Sequence, residues 1–124
     1  MIVIDSSLWI EFFLGSNYGE LVRHNKSFAE RNFIVPTIII REVHKKLTEF
    51  YNEELANEYC SYYKNGKVVN LDFDLSVYSS KISKQFKLPL ADSIIYATAL
   101  QQNATLYTMD KHFKDLQNVV YYEK

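Results

Sequence analysis

Short apolar runs alternate along this chain with longer segments in which apolar residues recur every three or four positions. The short runs are typical of strands that are buried on both faces of a sheet, and the periodic segments are typical of helices with one buried face. Strands are predicted at Ile2–Ile4, Phe33–Val35, Val68–Leu71, Thr105–Met109 and Val119–Tyr122. This alternation predicts a three-layer α/β/α sandwich with a central, mostly parallel five-stranded sheet.

Helices are predicted between the first four strands, at Leu8–Leu14, Gly19–Phe28, Thr37–Tyr51, Glu53–Tyr63, Leu75–Phe86 and Pro89–Asn103. Ser6 and Ser7 offer hydroxyls that would cap the first of these helices. Pro89 suits the start of the last helix, because its fixed φ is helical and its missing N–H would have no partner there. Asn103 can adopt the left-handed conformation that ends a helix.

The length and composition of the chain predict one globular domain over residues 1–124. Hydrophobic residues make up 48% and charged residues 23%, and the net charge of −1 gives no overall basic field that would attract nucleic acid. The single Cys60 excludes an intramolecular disulfide and a Cys-rich zinc module. The first residues do not resemble a signal peptide, and no apolar run reaches the ~20 residues of a membrane helix. We therefore expect a cytoplasmic protein without a membrane partner.

Four acidic residues stand where chemistry is usually found in a parallel α/β sheet. Asp5 and Asp110 each follow a predicted strand, Glu42 lies early in a helix, and Asp92 lies in the first turn of the last helix. Because sites form beyond the carboxyl ends of the strands, we expect these acids to gather at one mouth. Repulsion among them would raise their pKa values unless a cation binds. Oxygen ligands select hard divalent ions such as Mg²⁺ or Mn²⁺.

Each acid also has a structural explanation when it is taken alone. Asp92 could complement the helix dipole, a contribution of ~0.3–1 kcal/mol. Asp5 could be a cap, Asp110 could be a turn residue, and Glu42 could be a solvated helix residue. These explanations stay open for each residue, but they do not explain why all four acids stand at the functional ends of four separate elements.

The sequence around these acids resembles the four acidic motifs of PIN domains. The matching segments are Asp5-Ser6-Ser7 after the first strand, Glu42 after the strand that ends at Pro36, LADSIIYATA around Asp92, and TMDKHF at Thr108–Phe113. They occur in the family's order over nearly the whole chain, and the last two are the most specific. The likeness is strongest to the VapC-type toxins of bacterial and archaeal toxin–antitoxin pairs. Ser7 stands where relatives often carry Asn.

This resemblance implies a PIN-like fold and a Mg²⁺- or Mn²⁺-dependent endoribonuclease that acts as the toxin of a toxin–antitoxin pair. Its acidic site, both catalytic and metal-binding, would consist of Asp5, Glu42, Asp92 and Asp110. The hydroxyls of Ser7 and Thr108 would hold these carboxylates or a metal-bound water. The implied partners are an RNA substrate, a second copy of the chain in a homodimer, and an antitoxin protein.

Basic residues flank two of the four acids. The candidates for RNA contact are Arg41, Lys45, Lys46 and Lys111. Contacts from such residues to phosphates would give an affinity that depends on salt and carries no sequence information. Lys45 and Lys46 could equally form a solvated helix face. His44 and His112 are interpreted as ordinary polar residues, because neither belongs to a His-rich spacing.

Aromatic residues crowd two of the predicted helices more densely than one small core needs. The six residues are Trp9, Phe12, Phe13, Tyr59, Tyr62 and Tyr63. An exposed remainder of this set would suit a homodimer and a helical antitoxin segment lying in a groove. The alternative is that most of these rings belong to the core.

Other functions fit parts of the sequence. A PIN-domain nuclease of RNA processing, or a non-catalytic PIN-like binding protein, would share the fold, although four intact acids argue against the second. Aspartate phosphotransfer also places an Asp after the first strand. Its phosphatases usually carry a second acid two positions later, where this chain has Ser7, and its receiver domains carry adjacent acids. A nucleotide-binding module is disfavoured, because the three scattered glycines form no phosphate loop.

Overall fold

A five-stranded parallel sheet runs through the centre of the computed structural model, which describes all 124 residues. The strands are β1 (Ile2–Ile4), β2 (Phe33–Pro36), β3 (Lys67–Val69), β4 (Thr105–Thr108) and β5 (Val119–Tyr121). Their order across the sheet is β3-β2-β1-β4-β5, and all neighbouring pairs are parallel. The predicted α/β architecture is confirmed, and the sheet is entirely parallel.

Seven helices cover the two faces of this sheet. They are α1 (Ser6–Leu14), α2 (Asn17–Arg23), α3 (Lys26–Ala29), α4 (Thr37–Phe50), α5 (Glu53–Cys60), α6 (Phe73–Phe86) and α7 (Leu90–Gln101). The β1–β2 and β2–β3 connections cross the sheet in one direction, and β3–β4 crosses in the other. Because parallel crossovers are right-handed, α1–α5 cover one face and α6 and α7 cover the other. None of the helices combines the length and apolar character needed to cross a membrane.

Strand β1 lies at the centre because its side chains are apolar on both faces. Ile2, Val3 and Ile4 are all buried, as expected of a parallel strand covered by helices on both sides. Val3 is in register with Ile34 of β2 and with Leu106 of β4. Burying one such side chain stabilises the fold by roughly 1.5–3 kcal/mol. The buried strands therefore hold the residues that follow them in fixed positions.

Helix α7 is buried along most of its length. Every residue from Ser93 to Ala99 is buried, so this helix has almost no solvent-facing side. Pro89 precedes its first residue, and Asn103 follows its end with a left-handed φ of +53°, as the sequence predicted. Asp92 lies in the first turn, at the end of the helix that reaches the carboxyl edge of the sheet.

The aromatic residues of α1 pack into one cluster around Trp9. The Trp9 ring lies 4.7–6.1 Å, between centroids, from the rings of Phe12, Phe13, Phe28, Phe33, Tyr62 and Tyr63. Trp9 and Tyr63 are buried and the other four of the six crowded aromatic residues are half-buried, so most of this aromatic surface belongs to the core and no member is fully exposed. The large apolar side chains that do face solvent lie elsewhere, chiefly Phe73 at 82% and Leu90 at 75% exposure.

Some predicted boundaries are wrong. The segment predicted as one helix from residue 19 to 28 is two, because Asn25 accepts a hydrogen bond from the Phe28 N–H and starts α3 as a new helix. Strand β3 lies at Lys67–Val69, earlier than predicted, since an edge strand tolerates the exposed Lys67. Helix α5 ends at Cys60 and continues as a 3-10 turn.

Candidate functional site

The candidate site lies beyond the carboxyl ends of β1 and β4. These two strands are neighbours, and the chain connections leave them in opposite directions across the sheet. This is the position at which parallel α/β sheets form a crevice for ligands. Asp5 directly follows β1, and its N–H donates to the carbonyl oxygen of Tyr107 in β4 at 2.9 Å. Asp110 comes two residues after the end of β4.

The Asp5 side chain is held at the floor of the site by two hydroxyl groups. It is 3% exposed, and its Oδ2 accepts hydrogen bonds from Ser7 Oγ at 2.9 Å and from Thr108 Oγ1 at 2.8 Å. Thr108 Oγ1 in turn accepts the N–H of Asp110 at 2.9 Å. Ser7 is no cap for α1, because its Oγ donates to Asp5 and accepts the N–H of Met109, and no side chain caps this helix. One buried hydroxyl, that of Thr108, connects two of the four acids.

Burial makes the Asp5 carboxylate difficult to ionise. It raises the pKa of Asp5 from 3.8 to about 6, against the opposing effect of the Thr108 and Ser7 hydrogen bonds, and the charges of Asp110 and Asp92 raise it further. The influence of Asp110 and Asp92 on Asp5 means that negative charge from three separate elements meets at this point. The fold concentrates charge here instead of dispersing it.

Glu42 approaches the same region from α4. Its side chain is half-buried, and burial raises its pKa, with the Ser6 hydroxyl opposing and the charge of Asp92 adding to the rise. The Glu42 Oε1 atom is buried and has no hydrogen-bond partner. A buried oxygen without a partner costs free energy. Because the Ser6 hydroxyl affects the pKa of Glu42, Ser6 lies beside the candidate site, although the sequence had suggested it only as a cap.

Asp92, Asp110 and His112 form the tightest group of possible metal ligands. His112 Nδ1 lies 2.7 Å from Asp92 Oδ2 and 3.2 Å from Asp110 Oδ1. One ligand atom from each residue lies within 4.8 Å of the other two. Asp5 and Glu42 are outside this group, although both are influenced by the charges of Asp92 and Asp110. The four acids thus lie in one region. Within it, the ligand atoms of Asp92, Asp110 and His112 are closest together.

His112 is the site residue that the sequence interpretation missed. Asp110 Oδ1 accepts the His112 N–H at 2.9 Å and so begins the 3-10 turn Lys111–Phe113. The spacing predicts only the backbone contact, because an Asp side chain often accepts the N–H of the residue two positions later, and it does not predict where the ring lies. The hydrogen bond with Asp92 and the charge of Asp110 raise the pKa of His112. Burial and the charge of Asp110 raise the pKa of Asp92, and His112 opposes this.

The predicted RNA-contact residues differ in whether their charged groups already contact other side chains. All four are exposed, but Lys46 Nζ lies 3.9 Å from Glu49 Oε2 and 5.5 Å from the centroid of the Phe50 ring. Arg41, Lys45 and Lys111 form no ion pair. Arg41 and Lys45 border a groove of about 710 Å³ between α4 and α5, together with Thr37, Ile40, His44, Thr48, Glu49 and Glu53.

The donors gathered at this edge of the sheet fit a hard divalent cation. Carboxylate oxygens are the ligands that Mg²⁺ and Mn²⁺ prefer. A cation would also provide the partner that Glu42 Oε1 lacks, and its charge would oppose the burial and the repulsion that together raise the pKa values of Asp5 and Asp92. An ion in such a site can activate water and neutralise charge on a phosphoryl group. The arrangement is therefore suited to phosphodiester hydrolysis.

Comparison with known proteins identifies the family of the sequence and similar folds. The sequence matches the model of the PIN domain family over residues 2–119, and no curated protein matches it. The structure is similar to a toxin–antitoxin complex from Klebsiella pneumoniae, with a TM-score of 0.83, 23% identity and 100% of both chains covered. It is also similar to VapBC2 from Rickettsia felis bound to a promoter DNA fragment (TM-score 0.74, 14% identity, 98% of both chains). DNA-bound VapBC from Salmonella typhimurium gives a TM-score of 0.73 at 13% identity, with 98% of both chains covered.

Proposed function

Because this chain belongs to the PIN domain family, we propose that it is a divalent-metal-dependent endoribonuclease that hydrolyses RNA phosphodiester bonds. The observation that carries this proposal is that Asp5, Glu42 and Asp92 are each influenced by the charge of Asp110, while the buried Glu42 Oε1 has no hydrogen-bond partner. The residues that bind Mg²⁺ or Mn²⁺ and carry catalysis are Asp5, Glu42, Asp92 and Asp110. We further propose that the nuclease is the toxin of a type II toxin–antitoxin pair.

In this proposal the chain's own groups position and polarise the reactants. A bound Mg²⁺ or Mn²⁺ supplies water activation and charge neutralisation at the phosphoryl group. The hydroxyls of Ser7 and Thr108 fix the orientation of Asp5, and the Thr108 oxygen fixes the backbone of Asp110. Water adds to the phosphorus, the bond to one ribose oxygen breaks, and that oxygen leaves with a proton. No protein nucleophile is required.

The cleavage assay has a matched control within the chain. Purified protein should cut RNA with Mg²⁺ or Mn²⁺ but not in EDTA, and Asp92→Asn should abolish cutting. Asp74→Asn makes the same change in the first turn of α6, as Asp92→Asn does in α7, and should leave cutting intact. Cleavage that survives both EDTA and Asp92→Asn would come from a contaminant or from another mechanism.

The unpaired cations near the acids are proposed to hold the RNA backbone. Arg41, Lys45 and Lys111 are free to meet phosphates, and Lys46 should contribute less because Glu49 and Phe50 occupy its ammonium group. Lys45→Ala and Lys46→Ala form a matched pair on neighbouring residues of one helix. In the Asp92→Asn background, Lys45→Ala should reduce the slope of log K against log salt by ~0.7, the value for one phosphate contact of a single strand, and Lys46→Ala should reduce it less. Equal effects would contradict this assignment.

The toxin assignment is supported by the toxin–antitoxin complexes among the similar structures. We propose a cognate antitoxin protein and a homodimer as partners in the cytoplasm, and the exposed Phe73 and Leu90 are better candidates for the dimer contact than the packed aromatic cluster. Expression should arrest bacterial growth, and expression of Asp92→Asn should not. Cleavage of RNA without growth arrest would instead favour a PIN nuclease of RNA processing.

Aspartate phosphotransfer is the weaker alternative. It requires a carboxylate oxygen that can attack a phosphoryl group, whereas Asp5 is 3% exposed and its Oδ2 already accepts two hydroxyl hydrogen bonds. A hydroxylamine-sensitive phosphoprotein formed from acetyl phosphate would favour phosphotransfer, and its absence together with metal-dependent RNA cleavage would favour the nuclease.

A further inference from the structure

We propose that His112 is itself a metal ligand, through Nδ1, and that it shifts the site's preference from Mg²⁺ towards transition-metal ions such as Mn²⁺. This inference rests on the proposed metal-dependent nuclease and adds a nitrogen donor to its carboxylates. In the absence of this residue the site would contain oxygen ligands only. The histidine would therefore decide which cation the enzyme uses.

The distances around Nδ1 are those expected of ligands that share one ion. Adjacent ligands of an octahedral ion with bonds of about 2.1 Å are about 3 Å apart. His112 Nδ1 lies 2.7 Å from Asp92 Oδ2 and 3.2 Å from Asp110 Oδ1. One ion could therefore bind all three atoms, taking the place of the proton in the hydrogen bond between His112 Nδ1 and Asp92 Oδ2.

The backbone around His112 holds its ring beside the two acids. The Asp110 carboxylate accepts the His112 N–H at 2.9 Å. The next residue, Phe113, is fully buried and anchors the other end of the turn. The His112 side chain is 59% exposed, so water molecules and an RNA phosphate can complete the coordination from the open side.

The chemistry of the nitrogen donor predicts the change in preference. Mg²⁺ favours oxygen ligands and retains several waters, whereas imidazole nitrogen suits first-row transition metals. Mn²⁺ accepts both carboxylate oxygen and imidazole nitrogen, so replacing one oxygen donor by Nδ1 favours it over Mg²⁺. The effect on Mn²⁺ affinity should exceed the effect on Mg²⁺ affinity.

Electron spin-echo envelope modulation of bound Mn²⁺ tests the coordination directly, because a ligated imidazole nitrogen modulates the echo. The wild type should show this nitrogen coupling, and His112→Gln should lose it while circular dichroism confirms that it is folded. The matched control is His24→Gln, which replaces another exposed histidine that lies beside a carboxylate, that of Glu20 in α2. The control should retain the coupling.

Metal titrations give the second readout. His112→Gln should weaken Mn²⁺ binding by about 10-fold or more, the scale of losses at metal-site residues, and weaken Mg²⁺ binding, measured by competition, less. Absence of nitrogen coupling in the wild type would overturn the inference, as would equal losses for both ions or tighter binding by His112→Gln. RNA cleavage separates failure of this inference from failure of the proposed function. If the protein cleaves RNA with a divalent ion but shows no nitrogen coupling, only the role of His112 is refuted. If it does not cleave RNA with any divalent ion, the nuclease function is refuted.

Discussion

Replacing Asp5 with Asn should make the metal-free protein more stable at neutral pH, even though Asp5 lies at the floor of the candidate site. Burial raises the pKa of this carboxyl to about 6, so its charged form is less favourable in the folded protein than in the unfolded chain. Asn is neutral at every pH. Its side-chain oxygen can accept the hydrogen bonds that Ser7 and Thr108 donate to Asp5.

The magnitude follows from the difference between the two pKa values. A rise from 3.8 to about 6, at about 1.36 kcal/mol per unit, corresponds to about 3 kcal/mol lost from the free energy of unfolding when Asp5 is charged in both states. This loss is absent below roughly pH 4, where Asp5 is protonated in both states. It grows as the pH rises, because Asp5 loses its proton in the unfolded chain before it does so in the folded protein. It is complete once the pH exceeds the folded pKa of about 6. The advantage of Asp5→Asn should therefore shrink by about 2 kcal/mol from pH 7.5 to pH 4.5.

Urea denaturation in EDTA at these two pH values measures the effect. The decisive quantity is the change with pH in the difference in free energy of unfolding between Asp5→Asn and wild type. An unsatisfied N–H of the new Asn would lower the stability of the variant by the same amount at both pH values, so it does not affect this change. Asp115→Asn is the matched control, since Asp115 is exposed and its φ of +68° suits Asn equally well. A difference between Asp5→Asn and wild type that does not change with pH would refute the argument from burial.

Further changes test the ion, the hydroxyl bridge and the core. Mg²⁺ at about 100 times its Kd should add about 2.7 kcal/mol to the free energy of unfolding, and denaturation of Asp92→Asn should show little of this gain. Thr108→Val removes the hydroxyl between Asp5 and Asp110 and should cost about 1–3 kcal/mol in urea denaturation, partly restored in Thr108→Ser; an unchanged midpoint would mean that the bridge is dispensable. Trp9→Ala should cost about 3–5 kcal/mol by thermal unfolding followed by circular dichroism, and a cost under about 1 kcal/mol would show that the cluster repacks.

The sheet and the buried helix could be predicted because their sequence patterns are determined by burial. Ile2–Ile4 is apolar throughout because helices cover both of its faces. The helix that follows Pro89 was predicted from apolar residues at helical spacing, and its burial on nearly every side exceeds the one buried face that this spacing indicates. The common location of Asp5 and Asp110 follows from topology, since loops after parallel strands open at the same edge. The metal-binding role of these acids stays a prediction.

What the sequence could not reveal depends on contacts between distant segments. The position of the His112 ring depends on Asp92, which comes from a different helix, so periodicity carries no signal for it. Lys67 in β3 is polar because an edge strand needs no apolar covering, and its polarity shifted the predicted boundary. The packing of Trp9 with six other rings likewise depends on residues far apart in the chain, so the sequence left open whether these aromatic residues form a surface or a core.

The order of the strands has a consequence for synthesis on the ribosome. Strand β4 is made late, yet it is the neighbour of β1, which is made first. Until β4 arrives, β1 has an open edge and Asp5 lacks the hydroxyl of Thr108. A translation product that stops before Thr105 therefore has neither a closed sheet nor a complete set of acids. Such fragments should be degraded as unfolded chains and should be harmless to the cell that makes them.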